Sequence, residues 1–210
     1  MNYSAWVFFV NGEELLRRSV LSMEYAKDSL TIIDNSISGL KEVPFGRIYR
    51  PPVPLTFAQS QNLILKESAK KECEFYLWIH HDAEALGDSC RKMVELASSI
   101  EESGKKWATC FSSYDAFAAF NTKAFLYVGG WDAEFPWYFS DGSVYHKLRV
   151  AGYEFIESGL PVKHEPSQTI KSDSDLAFLN SMTFPLYEYL YSQMWGGSPG
   201  KERFKTAFNR

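Results

Sequence analysis

Two acidic residues, Asp82 and Glu84, are separated by one residue and follow the apolar run Leu77-Trp78-Ile79 after the pair His80-His81. A turn at the end of a strand can hold such carboxylates so that one or both face a divalent cation, and their hard oxygen ligands suit Mg²⁺ or Mn²⁺. An ion held there acts as a Lewis acid and neutralises the negative charge that develops on a leaving diphosphate. The spacing alone is a weak signal, because the same triplet is common on solvated loops.

A further acid, Asp34, directly follows the run Thr31-Ile32-Ile33 and precedes Asn35 and Ser36. In an open parallel sheet, ligands collect outside the carboxyl ends of the strands. The sequence therefore predicts Asp34 and Asp82 at one rim of a sheet. The alternative for Asp34 is structural, since an Asp at this place also stabilises a turn.

The apolar pattern predicts the elements that carry these residues. Continuous apolar runs over residues 6–10, 30–33 and 75–79 are typical of buried strands, and apolar positions at helical spacing predict helices around residues 16–23, 56–69 and 93–100. Thr56 is the predicted N-cap of the second helix. The alternation favours an α/β fold with a mainly parallel central sheet flanked by helices.

The second half of the chain is less regular. Strands are predicted at residues 107–111, 153–156 and 160–162 and a helix at residues 144–150, whereas the pattern between residues 114 and 125 is ambiguous. A final amphipathic helix carries Leu186, Leu190 and Met194 and ends at Gly196-Gly197. The following Gly-rich stretch either terminates this helix or folds across the site.

Length and composition fit one ordinary globular domain. The chain has 210 residues, a formal net charge of -4 and three cysteines, which gives no general attraction to nucleic acid and argues against a disulfide framework or a cysteine zinc site. No apolar run approaches the ~20 residues of a membrane span. The apolar run after Met1 lacks a basic segment before it and is interpreted as a first strand, so we expect cytoplasmic residence.

Several segments, in order along the chain, resemble the family 2 glycosyltransferases of GT-A fold. The resemblance covers roughly residues 4–170. Its most specific part is Gly129-Gly130-Trp131-Asp132-Ala133-Glu134-Phe135 followed by an acid, Asp141, and the segment Arg149-Val150-Ala151-Gly152-Tyr153. It implies a GT-A domain over residues 1–170, with residues 171–210 as a helical, Gly-rich extension packed on or near the site.

The resemblance implies roles for individual residues. Asp34 would accept the N3–H of uracil or thymine, and Asn62 and Asp82 would contribute to binding the donor. The family's D-x-D position falls on Asp82-Ala83-Glu84, where Glu84 departs from the pattern, and His164 matches a histidine that completes the metal shell. The metal ligands expected are therefore Asp82, Glu84 and His164, with Mn²⁺ or Mg²⁺ as the cofactor. His81 is expected to be an edge histidine bonded to the backbone.

Asp141 occupies the place of the family's general base, which takes the proton of the acceptor hydroxyl. Ser140 and Ser143 stand where relatives carry supporting acids. The alternative for Asp141 is an exposed acid at a helix N-terminus. Asp132 is expected to shape the loop after Gly130 or to contact the acceptor.

The resemblance thus implies a metal-dependent, inverting transfer from a UDP- or dTDP-sugar to an acceptor hydroxyl; GDP-sugar donors and a retaining mechanism stay open. The acceptor, whether a glycan, a small molecule, a protein or a modified DNA base, and the oligomeric state are not defined by the sequence. The alternative is a catalytically silent GT-A domain that binds nucleotide-sugar or carbohydrate. A sugar-phosphate nucleotidyltransferase is disfavoured, because Asn11-Gly12-Glu13-Glu14 is not a Gly-rich phosphate loop.

Overall fold

The computed structural model covers residues 1–210 and has a central sheet with helices on both faces. The strands are β1 (Tyr3–Phe9), β2 (Leu30–Asp34), β3 (Arg47–Tyr49), β4 (Phe75–His80), β5 (Ala83–Ala85), β6 (Trp107–Ser112), β7 (Phe117–Asn121), β8 (Glu154–Glu157) and β9 (Val162–His164). The helices are α1 (Glu13–Ser22), α2 (Phe57–Lys70), α3 (Ser89–Glu102), α4 (Thr122–Tyr127), α5 (Ser140–Val150), α6 (Gln168–Lys171) and α7 (Ser174–Trp195), with 3₁₀ turns at Glu24–Ser29 and Ala207–Asn209.

The central sheet has seven strands in the order β3-β2-β1-β4-β7-β6-β8. Strands β1, β2, β3 and β4 are parallel, β7 is antiparallel to both β4 and β6, and β8 is parallel to β6. Only β7 runs against the others, so the predicted mainly parallel α/β sheet is confirmed. The carboxyl ends of β1, β4 and β6 consequently lie at the same edge.

Apolar residues on both faces of the sheet explain its two helix layers. One core contains Leu16 of α1 and Met93 of α3, and the opposite core contains Ile64 of α2, Phe125 of α4 and Leu148 of α5. The central strands are buried on both sides, which is why they read as continuous apolar runs. All three cysteines are free and buried.

The ends of several elements match their sequence signals. Thr56 caps α2, with the Gln59 N–H donating to its Oγ1 and the Thr56 N–H donating to Gln59 Oε1. The Pro-rich segment before α2 contains the short, exposed edge strand β3. The ambiguous residues after β6 form β7 and then α4, which Asn121 caps.

Helix α7 packs on the rest of the domain through a separate small core that includes Phe135, Tyr191 and Trp195. The prediction that Leu186 shares the buried stripe is wrong, because this side chain is exposed. Successive steps of four residues drift by about 40° each around a helix, so Leu186 lies well away from Met194. No helix is long and apolar enough to cross a membrane.

Two small features bring distant segments together at the carboxyl edge. The ribbon of β5 and β9 pairs Ala83 with His164, which places His164 beside Asp82. The β6–β7 turn contains Ser113 and Tyr114 with φ values of 53° and 58°, a left-handed conformation that is unfavourable for residues other than glycine and is concentrated at functional sites.

Candidate functional site

A cavity of about 300 Å³ opens at the carboxyl edge of the sheet. Its walls come from the ends of β1 and β4, the β6–β7 turn, the loop before α5, and the segment that runs from His164 into α7. Aromatic side chains form much of the surface, among them Trp78, Trp137 and Tyr138. Four acidic or imidazole groups that the sequence analysis considered line it: His81, Asp82, Asp141 and His164.

Three side chains in this cavity form a cluster that could hold a metal ion: His80, Asp82 and His164, whose ligand atoms lie within 4.8 Å of one another. Asp82 Oδ1 is 3.8 Å from His80 Nδ1 and 3.4 Å from His164 Nε2. Two ligand atoms bound to one ion at about 2.1 Å stand roughly 3.0 to 3.5 Å apart. His80 Nε2 and His164 Nε2 are both enclosed and have no hydrogen-bond partner. The donor set therefore fits a divalent cation.

The protonation states of the cluster also suit a cation. Although 29% of the His80 side chain is exposed, desolvation of its enclosed ring lowers the pKa of His80 to about 4, against an opposing effect of Asp82. Burial alone would raise the pKa of Asp82, but the neighbouring His164, His80 and His81 and the Gln168 N–H hold it below its usual range. Neutral imidazole and ionised carboxylate are the ligand forms.

Glu84 lies outside this cluster. Its carboxylate pairs with Arg18 at 3.0 Å and with Lys163 at 3.3 Å, and it does not line the cavity. His80, which the sequence analysis did not consider, stands two residues before Asp82 and takes part instead. The cluster that could hold an ion therefore draws on His80 and Asp82, together with His164, rather than on Asp82 and Glu84.

His81 is buried, and its Nε2 lies 3.3 Å from Thr169 Oγ1. Its ring also packs edge-on against Phe9. The predicted backbone partner is thus replaced by a side chain of α6. This contact attaches α6 to the end of β4, and the hydrogen bond from Asn11 Nδ2 to the Thr169 carbonyl attaches it to the end of β1.

Asp141 is the second residue of α5, so the positive end of the helix dipole stabilises its carboxylate. The Tyr114 hydroxyl donates to Asp141 Oδ2 at 2.8 Å. Ser143 does not support Asp141, because it donates to Asp132 and accepts from Trp195 Nε1. Tyr114, from the β6–β7 turn, provides the support that the sequence pattern lacked.

Asp115 is a second acid of the β6–β7 turn and was not anticipated. Its side chain is 10% exposed, and the Tyr145 hydroxyl donates to its Oδ2 at 3.1 Å. Burial raises the pKa of Asp115 above its usual value, and the nearby charge of Asp141 adds to this shift. Its Oδ1 lies 3.7 Å from His80 Nε2.

Asp34 ends β2 at the same edge of the sheet but does not line the cavity. Its side chain has no exposure, and both oxygens are occupied. Oδ1 accepts from the Ser36 N–H and hydroxyl, and Oδ2 accepts from the Leu40 N–H and from Nε and Nη2 of Arg50. The predicted contact with a nucleobase would therefore require Arg50 to leave.

Asn62 and Asp132 hold the Gly129-Gly130-Trp131 loop. Asn62 Nδ2 donates to the Trp131 carbonyl at 2.8 Å, and the Trp131 N–H donates to Asn62 Oδ1 at 2.9 Å. Lys147 Nζ donates to Asp132 Oδ1 and to the Gly130 carbonyl. Neither Asp132 nor Asn62 lines the cavity. The structure fits the expectation that Asp132 shapes the loop, and a contact between Asn62 and the donor stays a prediction.

The segment after β9 covers one side of the cavity. Residues 166–170 contribute to the wall, and the Gln168 N–H donates to Asp82 Oδ2 at 3.2 Å. Leu176, Leu179 and Asn180 of α7 complete this side. The Gly-rich stretch lies elsewhere: Gly196, with φ of 72°, ends α7, and Arg203 and Phe204 fold back onto the Trp195 carbonyl.

Comparisons with known proteins establish the fold. No protein-family model matches the chain, and no curated protein matches it. The structure of TarS residues 1–349 from S. aureus in complex with UDP matches with a TM-score of 0.55 and 11% identity, over 76% of this chain and 58% of that one. The chain thus spans less than two thirds of TarS.

Two further solved structures match over most of their length. A cytidylyltransferase from Leptospira borgpetersenii matches with a TM-score of 0.52 and 5% identity, over 89% of this chain and 96% of that one. A protein provisionally assigned as a glucose-1-phosphate thymidylyltransferase from Bacillus anthracis, in complex with sucrose, matches with a TM-score of 0.52 and 10% identity, over 86% and 95%. At these identities the similarity shows a shared GT-A-like fold.

Proposed function

We propose that this chain is a metal-dependent, inverting glycosyltransferase related to family 2, which uses a UDP- or dTDP-sugar. The observation that carries the proposal is one shared cavity in which His80, Asp82 and His164 stand together with Asp141. A cation site and a carboxylate are the two groups that displacement of a nucleoside diphosphate by a hydroxyl requires. The structural match to TarS in complex with UDP supports the donor class.

His80, Asp82 and His164 would hold the cation. When bound, Mn²⁺ or Mg²⁺ would supply Lewis-acid stabilisation of the diphosphate leaving group. The two imidazoles favour Mn²⁺, because Mg²⁺ prefers an all-oxygen shell. The Gln168 N–H fixes the second oxygen of Asp82 and leaves Oδ1 directed at the two histidines.

Asp141 is the proposed base. Its carboxylate takes the proton of the acceptor hydroxyl while that oxygen forms a bond to the anomeric carbon, and the bond from this carbon to the diphosphate oxygen breaks on the opposite face. The electron pair of the broken bond leaves with the nucleoside diphosphate. Tyr114 fixes the carboxylate through its hydroxyl. The aromatic wall of Trp78, Trp137 and Tyr138 offers faces on which sugar rings can stack.

A nucleotidyltransferase function is less consistent with the end of β1, although proteins of that class share the fold. The chain turns at Gly12, which has φ of 80°, and α1 begins at once with Glu13 and Glu14. This turn is not the Gly-rich loop that cradles a triphosphate, and two carboxylates in the first helical turn oppose phosphate binding.

Thermal unfolding with nucleotide-sugars, with and without Mn²⁺, tests the proposal, because a ligand that binds the folded state raises its stability. We expect a UDP- or dTDP-sugar to raise the Tm only with Mn²⁺ present. Asp82→Ala should abolish this shift, whereas Glu84→Ala, a matched change two residues away, should preserve it.

Release of nucleotide diphosphate separates an enzyme from a binding module. We expect slow release from the stabilising donor even without an acceptor, and faster release with a suitable one. Stabilisation by the donor without any release would support the catalytically silent alternative. No stabilisation by any nucleotide-sugar would refute the proposed function.

A further inference from the structure

Asp115 is a buried carboxylate in the cavity that the proposed reaction leaves without a role. It follows Ser113 and Tyr114, whose left-handed backbone turns the chain sharply between β6 and β7. A strained turn is retained where the side chains that it presents are needed. The Tyr114 hydroxyl donates to Asp141, and Asp115 Oδ1 lies 3.7 Å from His80 Nε2 of the cation cluster.

The two nitrogens of His80 face two different acids. Nδ1 lies 3.8 Å from Asp82 Oδ1, inside the cluster, and Nε2 lies 3.7 Å from Asp115 Oδ1. Nε2 is enclosed by protein and has no hydrogen-bond partner. A shift of less than about 1 Å would bring this nitrogen and the Asp115 oxygen to hydrogen-bond distance.

A histidine that binds a metal through one nitrogen carries its proton on the other nitrogen and donates it to a carboxylate, a carbonyl or water. We propose that Asp115 is a positioning residue for the metal centre: its Oδ1 accepts the Nε2–H of His80 and thereby presents the lone pair of Nδ1 to an ion shared with Asp82 and His164. The inference rests on the metal site of the proposed function and adds a residue to it.

The remaining contacts of Asp115 agree with this role. The Tyr145 hydroxyl holds Oδ2 at 3.1 Å, which fixes the carboxylate plane and leaves Oδ1 turned toward His80. Tyr145 itself is buried in the core next to Trp131. The arrangement Tyr145–Asp115–His80 therefore connects the packed core to the candidate metal ligands.

Calorimetric titration with Mn²⁺ tests the inference on the full chain without any substrate. We expect Asp115→Ala to weaken Mn²⁺ binding by about 10- to 100-fold, the usual effect of removing such an outer partner. Asp115→Asn keeps an acceptor oxygen and should lose less. Glu84→Ala, a matched change to an acid outside the cluster, should leave the affinity unchanged.

A double-mutant cycle separates positioning from general structural damage. If Asp115 acts through His80, Asp115→Ala in a His80→Ala background should change the Mn²⁺ affinity by less than about twofold. Tyr145→Phe keeps both charges and should weaken binding mildly. In the Mg²⁺-loaded protein, ¹H–¹⁵N NMR should show a His80 Nε2–H signal that is protected from exchange with water, and Asp115→Ala should remove this protection.

The outcomes can be told apart. Wild-type Mn²⁺ affinity in a folded Asp115→Ala protein, or an equal loss with and without His80, would overturn the inference and leave the proposed function standing. Absence of Mn²⁺ binding by the wild type would overturn the proposed metal dependence, and this inference with it. If Asp115→Ala unfolds, Asp115→Asn and Tyr145→Phe decide the question.

Discussion

Removal of Arg50 gives a sharp test of the part assigned to Asp34. Both oxygens of Asp34 are occupied, and Arg50 donates to Oδ2 through Nε and Nη2. If Asp34 accepts the N3–H of a uracil, Arg50 must leave when the nucleotide binds. Arg50→Ala should therefore strengthen the binding of UDP while weakening the fold.

The size of the effect follows from the contacts. Arg50 is half exposed, which places the ion pair near the surface range of about 0.2–1 kcal/mol. Its partner is fully buried, and hydrogen bonds to charged groups contribute about 1.5–3 kcal/mol. An intermediate value of about 1–1.5 kcal/mol corresponds to UDP binding that is roughly 5- to 12-fold tighter. Asp34 would keep its bonds from Ser36 and Leu40.

Calorimetric titration with UDP in the presence of Mn²⁺ measures the affinity for UDP, and urea unfolding measures the loss of fold stability. Arg47→Ala removes the same charge from the exposed edge strand β3, which ends just before Arg50, and is the control. UDP binding that is unchanged or weaker in Arg50→Ala, with the expected loss of stability, would refute the base contact. Asp34 would then be the turn-stabilising residue that the sequence analysis left open.

Three further predictions follow from the same contacts. Asp141→Asn should lower kcat by about 10²- to 10⁴-fold with little change in UDP affinity, measured by release of UDP; a change of only a few-fold would exclude Asp141 as the base. Gly130→Ala should lower the free energy of unfolding by about 1–3 kcal/mol. The loss should exceed that of Gly129→Ala, because a Cβ at residue 130 would lie 2.5 Å from Asn62 Oδ1 whereas a Cβ at residue 129 would contact nothing. Equal losses of stability in urea unfolding would contradict this packing. Burial would raise the pKa of Glu202, but the Tyr191 hydroxyl and the Gly200 N–H hold this pKa below its usual value. The ionised Glu202 therefore stabilises the fold above the unfolded pKa of about 4.3, and this stabilisation is lost as the pH falls through the lower folded pKa. Glu202→Gln should lower the Tm more at pH 7 than at pH 3, and equal Tm shifts at the two pH values would contradict this assignment.

The sequence predicts the central sheet well because its strands are buried on both faces. Such strands, β1, β2 and β4, are continuous apolar runs whatever surrounds them. Strand β3 has three exposed residues and no apolar pattern, so its place beside β2 depends on tertiary pairing. Strand β7 is rich in alanine and continues directly into α4, which leaves its type ambiguous from local residues.

The position of Asp82 at the candidate site was predictable because this residue comes just after the apolar strand β4. Asp141, in the first turn of α5, was found through the family resemblance and also lines the cavity. Glu84 lies in β5 and pairs with Arg18 and Lys163, contacts with distant segments that its spacing from Asp82 does not reveal. His80 carried a usable signal, since it stands two residues before Asp82 and alternate residues near a strand share a side.

Contacts between distant segments carried no local signal. The approach of Asp115 to His80, and of Arg50 to Asp34, depends on how two turns fold toward the sheet. The left-handed backbone at Ser113 and Tyr114 cannot be inferred from residues that favour other conformations.

The pairing of β5 with β9 has a consequence for biosynthesis. Ala83 and His164 flank β6, β7 and α5 in the chain, so their ribbon closes only after all of these have emerged from the ribosome. A nascent chain that has produced the first five strands holds His80 and Asp82 but lacks His164. If the proposed site binds manganese, the ion would stabilise the finished molecule rather than its early folding intermediates.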